Sequence, residues 1–174
     1  MKNKSKVIPK PLKWILVVLV AIFAYFVYIF FAPNFTYENA EKQYLCIPDS
    51  TSKRELHNLI ESKFKVYNIR ALKQVEALLQ YQKIRSGRYL VSKGMNNFQF
   101  VRMLRSGRQT PVQLKFNNIR TKEQLAARLS AQLMPDSIQI LNLLNDSAFL
   151  ANEGLNRNNS IAIFIPNTYE VFWN

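Results

Sequence analysis

Cysteine and histidine are nearly absent from this sequence, which contains one of each. The single cysteine, Cys46, cannot form a disulfide within the chain. Because zinc and related metals are usually held by several His and Cys side chains, Cys46 and His57 alone predict no metal site. Nothing in the sequence indicates a cofactor. His57 lies in a stretch with helical periodicity, and we interpret it as a residue on a helix surface and not as a catalytic one.

Acidic residues are also scarce, with 11 Asp and Glu against 24 Lys and Arg and a net charge of +13. Such a balance is typical of nucleic-acid-binding proteins. However, five of the lysines lie in residues 1–13, ahead of a long apolar run, and the other 19 basic residues exceed the acidic ones by eight. Outside the cytoplasm, such an excess favours lipid headgroups and wall polymers over nucleic acid. The alternative is that the charge serves solubility alone.

Residues 14–32 form a run of 19 residues without a charge, WILVVLVAIFAYFVYIFFA. Its length matches the hydrocarbon core of a membrane and exceeds the apolar core of a cleavable signal peptide. Bulky aromatic residues continue to its end and Pro33 follows, which favours an uncleaved transmembrane helix. Because lysines crowd its N-terminal flank, the positive-inside rule predicts a basic cytoplasmic tail over 1–13 and the rest of the chain outside the cytoplasm.

The distal chain is predicted to be an α+β protein. Residues 33–43 are predicted to be a short extended linker, and three strand–turn–helix units follow over 44–62, 87–107 and 112–133. Each helix begins with two polar residues three positions apart, the pattern of a capping box. These pairs are Ser52 with Glu55, Asn96 with Gln99, and Thr121 with Gln124.

Further elements are predicted between and after these units. The periodicity predicts a helix over 64–83, with Leu72, Val75, Leu78 and Leu79 facing inward. A helix opens at 135–137 and a short one covers 146–155. The final segment is predicted to contain a buried strand over 160–165, followed by Pro166 and a Thr-Tyr pair. Its apolar end, 171–173, favours the interpretation that the sequence is truncated.

Five short motifs follow one another along the distal chain. They are I-P-D-S (47–50), G-x-Y-x-x-x-x-G-M (87–95), L-x-S-G (104–107), T-x-x-Q-L (121–125) and F-x-P-x-T-Y-E (164–170). Behind a membrane anchor, their order and spacing resemble the endolytic murein transglycosylase family, also called MltG or YceG-like. One departure is Asn167, where many family members have Asp, which puts a charge-dependent role at this position in doubt.

The resemblance implies a LysM-like peptidoglycan-binding lobe, assigned to 44–110, and the start of a catalytic lobe over 111–174. It implies cleavage of the MurNAc–GlcNAc bond without water, leaving 1,6-anhydro-MurNAc ends in nascent glycan strands. One carboxyl group suffices, because it protonates the glycosidic oxygen and then accepts the proton of the sugar's own C6 hydroxyl. Glycosidases use two carboxylates instead. The family's catalytic Glu lies in a segment similar to A-S-I-V-E, which these residues lack, so no catalytic residue is assigned.

Substrate contacts are predicted in the turn after Pro166, because polar side chains at strand ends commonly line binding sites. The predicted contact residues are Asn167, Thr168, Tyr169 and Glu170. Glu170 is interpreted as a structural carboxylate, with a partly buried group of raised pKa as the alternative. The other carboxylates within 111–174, for which no catalytic role is assigned, are Glu123, Asp136, Asp146 and Glu153. Tyr67, Tyr81 and Tyr89 are either sugar contacts or core residues, and the core is favoured.

Two functions follow from these patterns. The first is a membrane-anchored lytic transglycosylase of the bacterial plasma membrane, present as an N-terminal portion that is inactive alone. The second is a non-catalytic bitopic protein that binds glycan or serves as a cell-division scaffold. In both cases the expected partners are peptidoglycan strands, the membrane and proteins of peptidoglycan synthesis or division, and no nucleic acid.

Overall fold

The computed structural model of the protein describes residues 10–38, 42–115, 119–161, 163–165 and 167–174. Most of the predicted basic tail, 1–13, lies outside these residues. The described chain begins with one long helix and continues as two small lobes, each built of helices and paired strands. The predicted mixture of helices and strands behind an apolar N-terminal helix is confirmed.

Helix α1 (Lys10–Phe31) carries the long apolar run. Its stretch Lys13–Phe31 is the one helix in the described part of the chain that is long and apolar enough to cross a membrane. Over its first four turns the large apolar side chains are exposed. Such exposure suits a surface that lipid covers. The orientation of α1 in a membrane stays a prediction.

The first lobe contains two antiparallel strand pairs and three helices. Its elements are β1 (Phe35–Thr36), β2 (Gln43–Ile47), α2 (Lys53–Lys63), β3 (Lys65–Val66), α3 (Ile69–Leu78), β4 (Gly87–Val91) and α4 (Asn97–Ser106). Strand β1 pairs with β3, and β2 pairs with β4 along its whole length, from Gln43 opposite Val91 to Ile47 opposite Gly87.

The core of the first lobe is formed where the inner face of the β2–β4 pair meets the three helices. Leu45, Ile47, Leu56, Leu72 and Phe100 are fully buried there. The alternation along β2 sends every second side chain inward, which matches a sheet with one covered face. The capping boxes predicted for α2 and α4 are both confirmed, each with its side-chain and backbone hydrogen bonds in place.

Residues 33–38 belong to this lobe, which corrects the predicted linker over 33–43. Phe35 is fully buried and stacks on Phe100 with ring centroids 4.3 Å apart. Tyr37 is 7% exposed and Asn34 is 3% exposed. The linker prediction missed this because the segment is too short to show a periodicity. Residues 39–41 of the predicted linker lie outside the described residues.

The predicted helix over 64–83 is shorter than expected. Its first residues form β3, and α3 begins only at Ile69 because the Asn68 side chain accepts the backbone N–H of Ala71 as an N-cap. Leu72 and Val75 face inward as predicted, whereas Leu78 is 52% exposed. Pairing of β3 with β1 is a long-range contact, so helical periodicity over 64–68 could not reveal it.

The second lobe consists of β5 (Val112–Lys115), α5 (Lys122–Ser130), α6 (Ser137–Asn145), α7 (Ser147–Asn152) and β6 (Thr168–Val171). Strands β5 and β6 pair antiparallel, and a small core lies between them and the helices, with Leu114, Leu125 and Leu144 among its buried residues. At the start of α5, the Thr121 hydroxyl accepts the Gln124 N–H, but the Gln124 side chain accepts the N–H of Arg120. The predicted box is therefore only half formed.

The predicted strand over 160–165 is wrong for the residues described there, which form turns at 160, 161 and 163 and irregular structure at 164 and 165. The Ser160 N–H donates to the Asn156 carbonyl and the Phe164 N–H donates to the Ile161 carbonyl, so the hydrogen bonds of this segment are local. The strand comes later, as β6, and includes Thr168 and Tyr169, which were predicted to lie in a turn. Pro166 lies outside the described residues.

A buried hydrogen-bonded pair joins α2 to α3, which the surface interpretation of His57 missed. The His57 Nε2 atom lies 2.9 Å from the Glu76 Oε2 atom, and the side chains are 15% and 4% exposed. Glu76 lies on the face of α3 that packs into the core, beside Leu72 and Val75. The pair therefore has a structural role in fixing these two helices.

Tyr81 lies near Glu76, and its buried phenol is expected to make the stability of the fold depend on pH in the alkaline range. Burial first, and then the Glu76 carboxylate, raises the pKa of the Tyr81 phenol well above its usual value. A raised pKa stabilises the fold below the unfolded-state pKa, about 10, and this contribution is lost as the pH rises above it.

The phenol oxygen of Tyr81 has no hydrogen-bond partner in the described part of the chain. We therefore expect Tyr81→Phe to change the free energy of unfolding little at pH 7. Above pH 10, the wild type is expected to lose about 1 kcal/mol of this free energy per pH unit, and the variant should not show this loss. Urea unfolding at several pH values measures both effects, with Tyr67→Phe at an exposed position as the control. Parallel pH curves for the wild type and Tyr81→Phe would contradict the prediction.

Candidate functional site

The outer face of the β2–β4 pair carries a tyrosine and an arginine in contact. Leu45 and Ile47 point into the core, so Tyr44 points to the opposite face, and so does Arg88 on β4. The Arg88 guanidinium carbon lies 3.6 Å from the centroid of the Tyr44 ring. This cation–π contact holds both flat groups in place and leaves part of each accessible.

The segment that links the two lobes runs along the free edge of β4. The Thr110 N–H donates to the Arg88 carbonyl at 2.6 Å, and the Thr110 hydroxyl accepts the Leu90 N–H at 3.2 Å. Arg88 Nη1 also donates to the Pro111 carbonyl at 2.9 Å. These bonds bring the beginning of β5 beside the outer face of the first sheet.

The β5–β6 pair presents polar side chains on its exposed face. Gln113 is opposite Glu170, and Gln113 Nε2 donates to Glu170 Oε1 at 3.4 Å. Lys115 is opposite Thr168 on the same face. Val112 and Leu114 point to the other side, into the core of the second lobe.

A cleft of about 510 Å³ lies where the two lobes meet. Cations, amides, a hydroxyl, a carboxylate and one aromatic ring line it. The lining residues are Lys42, Tyr44, Arg88, Thr110, Pro111, Val112, Gln113, Gln132 and Glu170. Amide, hydroxyl and carboxylate groups form hydrogen bonds with sugar hydroxyls, a tyrosine face packs on a sugar ring, and cations attract carboxylates. The lining therefore suits a polar ligand that carries hydroxyl, amide or carboxylate groups.

The four predicted contact residues are only partly brought together. Glu170 lines the cleft and is exposed, which argues against the buried-carboxyl alternative and supports the structural one. Thr168 shares the exposed face of β6 with Glu170. Tyr169 faces the other way, packs against the core of the second lobe, and its hydroxyl donates to the Ile165 carbonyl at 2.9 Å. Asn167 Oδ1 accepts the N–H of Thr168.

Tyr44, Arg88 and Gln113 were not predicted as site residues. The alternation along β2 and β4 could have placed Tyr44 and Arg88 on the outer face. Their meeting with Gln113 and Glu170 depends on how the lobes pack, which no local pattern predicts. Of the three tyrosines considered above, Tyr81 and Tyr89 are buried in the core and only Tyr67 is exposed.

A second cleft, of about 550 Å³, lies at the turn between β2 and α2. Asp49, Ser50 and Thr51 line it, with Glu55 and Asn58 on α2. The Thr51 hydroxyl donates to the Pro48 carbonyl at 2.7 Å, and Ser50 adopts a left-handed conformation with φ of 59°. The I-P-D-S motif thus forms a tight, polar turn at a concave surface.

Two carboxylates at helix starts, Glu55 and Glu123, have a lowered pKa. Hydrogen bonds from the backbone and hydroxyl of Ser52 lower the pKa of Glu55. Hydrogen bonds from its own backbone N–H and from the Thr121 hydroxyl lower the pKa of Glu123. A general acid that works near neutral pH needs a raised pKa. The arrangement of Glu55 and Glu123 therefore suits helix capping.

Fold and cleft together define an α+β protein with an apolar N-terminal helix and a polar groove between two lobes. The sequence profile of the YceG-like family matches residues 45–174, three quarters of the chain. The chain belongs to the YceG-like family, which confirms the resemblance noted in the motifs.

One similar solved structure is the crystal structure of a yceG-like protein from Listeria monocytogenes. It is 21% identical, covers 75% of this chain and 48% of its own, and has a TM-score of 0.37. The present chain thus spans about half the length of that protein. No curated protein matches the sequence.

Proposed function

We propose that this protein is a membrane-anchored component of endolytic peptidoglycan cleavage, and that the residues described here supply its anchor and a glycan-binding surface. The observation that carries the proposal is the YceG-like family match over residues 45–174. The cleft between the lobes adds support, because its side chains suit the hydroxyl, amide and carboxylate groups of peptidoglycan.

In this proposal the first lobe is the LysM-like glycan-binding lobe, and 111–174 begins the transglycosylase lobe. Tyr44 packs on a sugar ring, Gln113 and Gln132 bind its hydroxyl or acetamido groups, and Arg88 and Lys42 attract the carboxylates of muramic acid side chains. Glu170 orients the substrate through hydrogen bonds. The carboxyl that cleaves the MurNAc–GlcNAc bond is not assigned to any residue of this chain.

The membrane placement completes the proposal. With Met1 in the cytoplasm and α1 spanning the plasma membrane, both lobes lie on the outer side, where new glycan strands emerge. Because the end of α1 packs on the first lobe, the cleft stays attached to the membrane, and this attachment favours nascent strands as substrate.

The second candidate is a non-catalytic bitopic protein that binds glycan or a division-complex partner. The cleft favours it equally, because binding needs no catalytic carboxyl. Muropeptide analysis after incubation of the full chain with peptidoglycan separates the two candidates. Anhydro-muropeptides above the background of the incubation would identify an enzyme, whereas binding without them would support the second candidate for this chain.

Replacement of Tyr44 tests the glycan cleft. We expect Tyr44→Ala to weaken retention of the detergent-solubilised full chain on insoluble peptidoglycan roughly tenfold, since buried aromatic contacts are worth more than about 1 kcal/mol in binding. The full chain is needed because the end of α1 packs on the first lobe. The measurement is the fraction sedimented at increasing glycan concentration.

The matched control is Tyr67→Ala, which also removes a tyrosine ring but at a position that is 67% exposed and away from the cleft lining. Equal retention of Tyr44→Ala and wild type, or an equal loss in both variants, would overturn the assignment of this cleft. Unfolding curves of both variants check that the lobes remain folded.

A further inference from the structure

The cleft between the two lobes is lined by charges of both signs that form no ion pair with each other. Lys42 and Arg88 belong to the first lobe, and Glu170 lies on β6 of the second lobe. Within the described residues, the one ion-pair contact joins His57 to Glu76. The space between the cations and the carboxylate of the cleft is therefore open to a ligand that carries both signs of charge.

The cations of the cleft lie beside an aromatic ring. The Arg88 guanidinium stacks on the Tyr44 ring, and its Nη1 donates to the Pro111 carbonyl at 2.9 Å. A guanidinium has five N–H groups, so this one hydrogen bond within the described part of the chain leaves several for a ligand. Lys42, immediately before β2, is exposed and lines the same cleft. This side of the cleft suits a carboxylate, which an arginine binds through two parallel hydrogen bonds.

The carboxylate of the cleft lies on the second lobe. Glu170 is exposed, and its Oε1 atom accepts a hydrogen bond from Gln113 Nε2 at 3.4 Å, beyond the usual N–H···O range. This is the one hydrogen bond of the Glu170 side chain within the described residues, and an amide donor carries no charge. The Glu170 carboxylate thus has no counter-ion in the described chain, and this side of the cleft suits an ammonium group.

The size of the cleft fits a small charged group together with part of a sugar. Its volume is about 510 Å³, and sites that bury small molecules commonly measure roughly 300–1,000 Å³. A neutral sugar alone would contact the Tyr44 ring and the Gln113 amide. It would leave the charges of Arg88 and Glu170 without a counter-charge, so these residues indicate a further, charged part of the ligand.

Peptidoglycan contains one part that carries both charges. Its sugars are neutral where the lactyl carboxyl group is joined to a stem peptide through an amide bond. The stem peptide itself has free carboxylates and, on its diamino acid, an ammonium group. A cross-link converts that ammonium group into an amide. Both charges are therefore present together only on a stem peptide whose amine is not cross-linked.

We infer that the cleft binds the stem peptide of a strand that is not cross-linked, with a stem carboxylate on Arg88 and Lys42 and the stem ammonium group on Glu170. This inference rests on the proposed function and adds to it the part of the substrate that the charged side chains recognise. Because a cross-link removes the ammonium group, the Glu170 contact favours newly made strands over the cross-linked wall. This preference acts in addition to the attachment through α1.

The test compares insoluble peptidoglycan that retains free amines with the same material after acetylation by acetic anhydride. We expect roughly threefold to fivefold weaker retention of the detergent-solubilised full chain on the acetylated material, because acetylation removes the ammonium group that pairs with Glu170. General attraction between a protein of net charge +13 and an anionic polymer predicts the opposite change, since acetylation makes the polymer more negative. The direction of the change therefore separates the two mechanisms.

Variants assign the effect to the cleft. Glu170→Gln should be retained equally on both materials, at about the level of the wild type on acetylated peptidoglycan. Arg88→Gln should be retained less on both and keep the difference between them. The matched control Glu153→Gln removes an exposed carboxylate of the second lobe that is outside the cleft lining, and should behave as the wild type. Unfolding curves check that each variant remains folded.

Equal or stronger retention of the wild type on acetylated peptidoglycan would overturn the inference and leave glycan binding by the cleft standing. A difference that persists in Glu170→Gln, or one that is lost in Glu153→Gln, would also overturn it. If the wild type is not retained on untreated peptidoglycan at all, the proposed glycan binding is wrong and the inference falls with it.

Discussion

Replacing His57 by alanine is expected to lower the free energy of unfolding by about 1–3 kcal/mol, the range found when a buried polar group loses its hydrogen-bond partner. The carboxylate of Glu76 is 4% exposed and receives its hydrogen bond from His57 Nε2 at 2.9 Å. Its other oxygen has no hydrogen-bond partner within the described residues. Without the imidazole, Glu76 is left as a buried carboxylate with no such partner for either oxygen.

The size of this effect depends on the charge of Glu76, which provides the control. In a Glu76→Gln background, His57→Ala is expected to cost less than about 1 kcal/mol, since no charge is left unpaired. His57→Gln, whose side-chain amide can still donate, should recover part of the loss. Urea unfolding in detergent micelles, followed by near-ultraviolet circular dichroism of the buried tyrosines, measures the wild type and the four variants. Equal costs of His57→Ala in both backgrounds would contradict the pairing.

Replacing Asn34 by alanine is expected to cost about 2–4 kcal/mol and to loosen α1 from the first lobe. Asn34 is 3% exposed, and its amide donates to Asn97 Oδ1 at 2.6 Å and to the Asn68 carbonyl at 3.1 Å. Its side-chain oxygen accepts the Asn68 N–H at 2.7 Å. The variant leaves several buried polar groups unsatisfied, at roughly 1–3 kcal/mol each before relaxation.

Asn34→Ala is also expected to affect α1. Asn97, the hydrogen-bond partner of Asn34, also donates to the Ile29 carbonyl near the end of α1. When Asn34 no longer holds Asn97, we expect faster deuterium exchange over residues 29–35 in nanodiscs. Asn58→Ala, at an exposed position on α2, is the matched control and should change neither quantity. A loss of stability without faster exchange at 29–35 would show that this network supports the lobe but not the anchor.

The network around Asn34 determines how the proposed membrane helix is connected to the first lobe. A flexible linker after α1 would let the lobes sample many distances from the membrane. Instead, Asn34 and Phe35 are buried, so the chain passes directly from α1 into the core of the first lobe. The proposed cleft at Tyr44 and Glu170 is thereby held at a defined height, which would suit an activity restricted to newly made strands.

Features that depend on neighbouring residues could be predicted from the sequence. The uncharged run 14–32 is long enough to establish a helix of membrane length. Capping boxes at Ser52 and Asn96 were predictable because their hydrogen bonds span three positions. The ordered motifs were enough to indicate the YceG-like family, since they preserve spacing along the chain and not contacts across it.

Features that depend on distant residues could be seen only once the fold was known. Two segments that were predicted to be part of a linker and the start of a helix form the paired strands β1 and β3. The partners Glu76 for His57 and Gln113 for Glu170 lie 19 and 57 positions away. No local periodicity encodes such pairs, because each is selected by how the helices and sheets pack. For the same reason, it took the contacts of Tyr25 and Asn34 to show that the end of α1 packs on the first lobe.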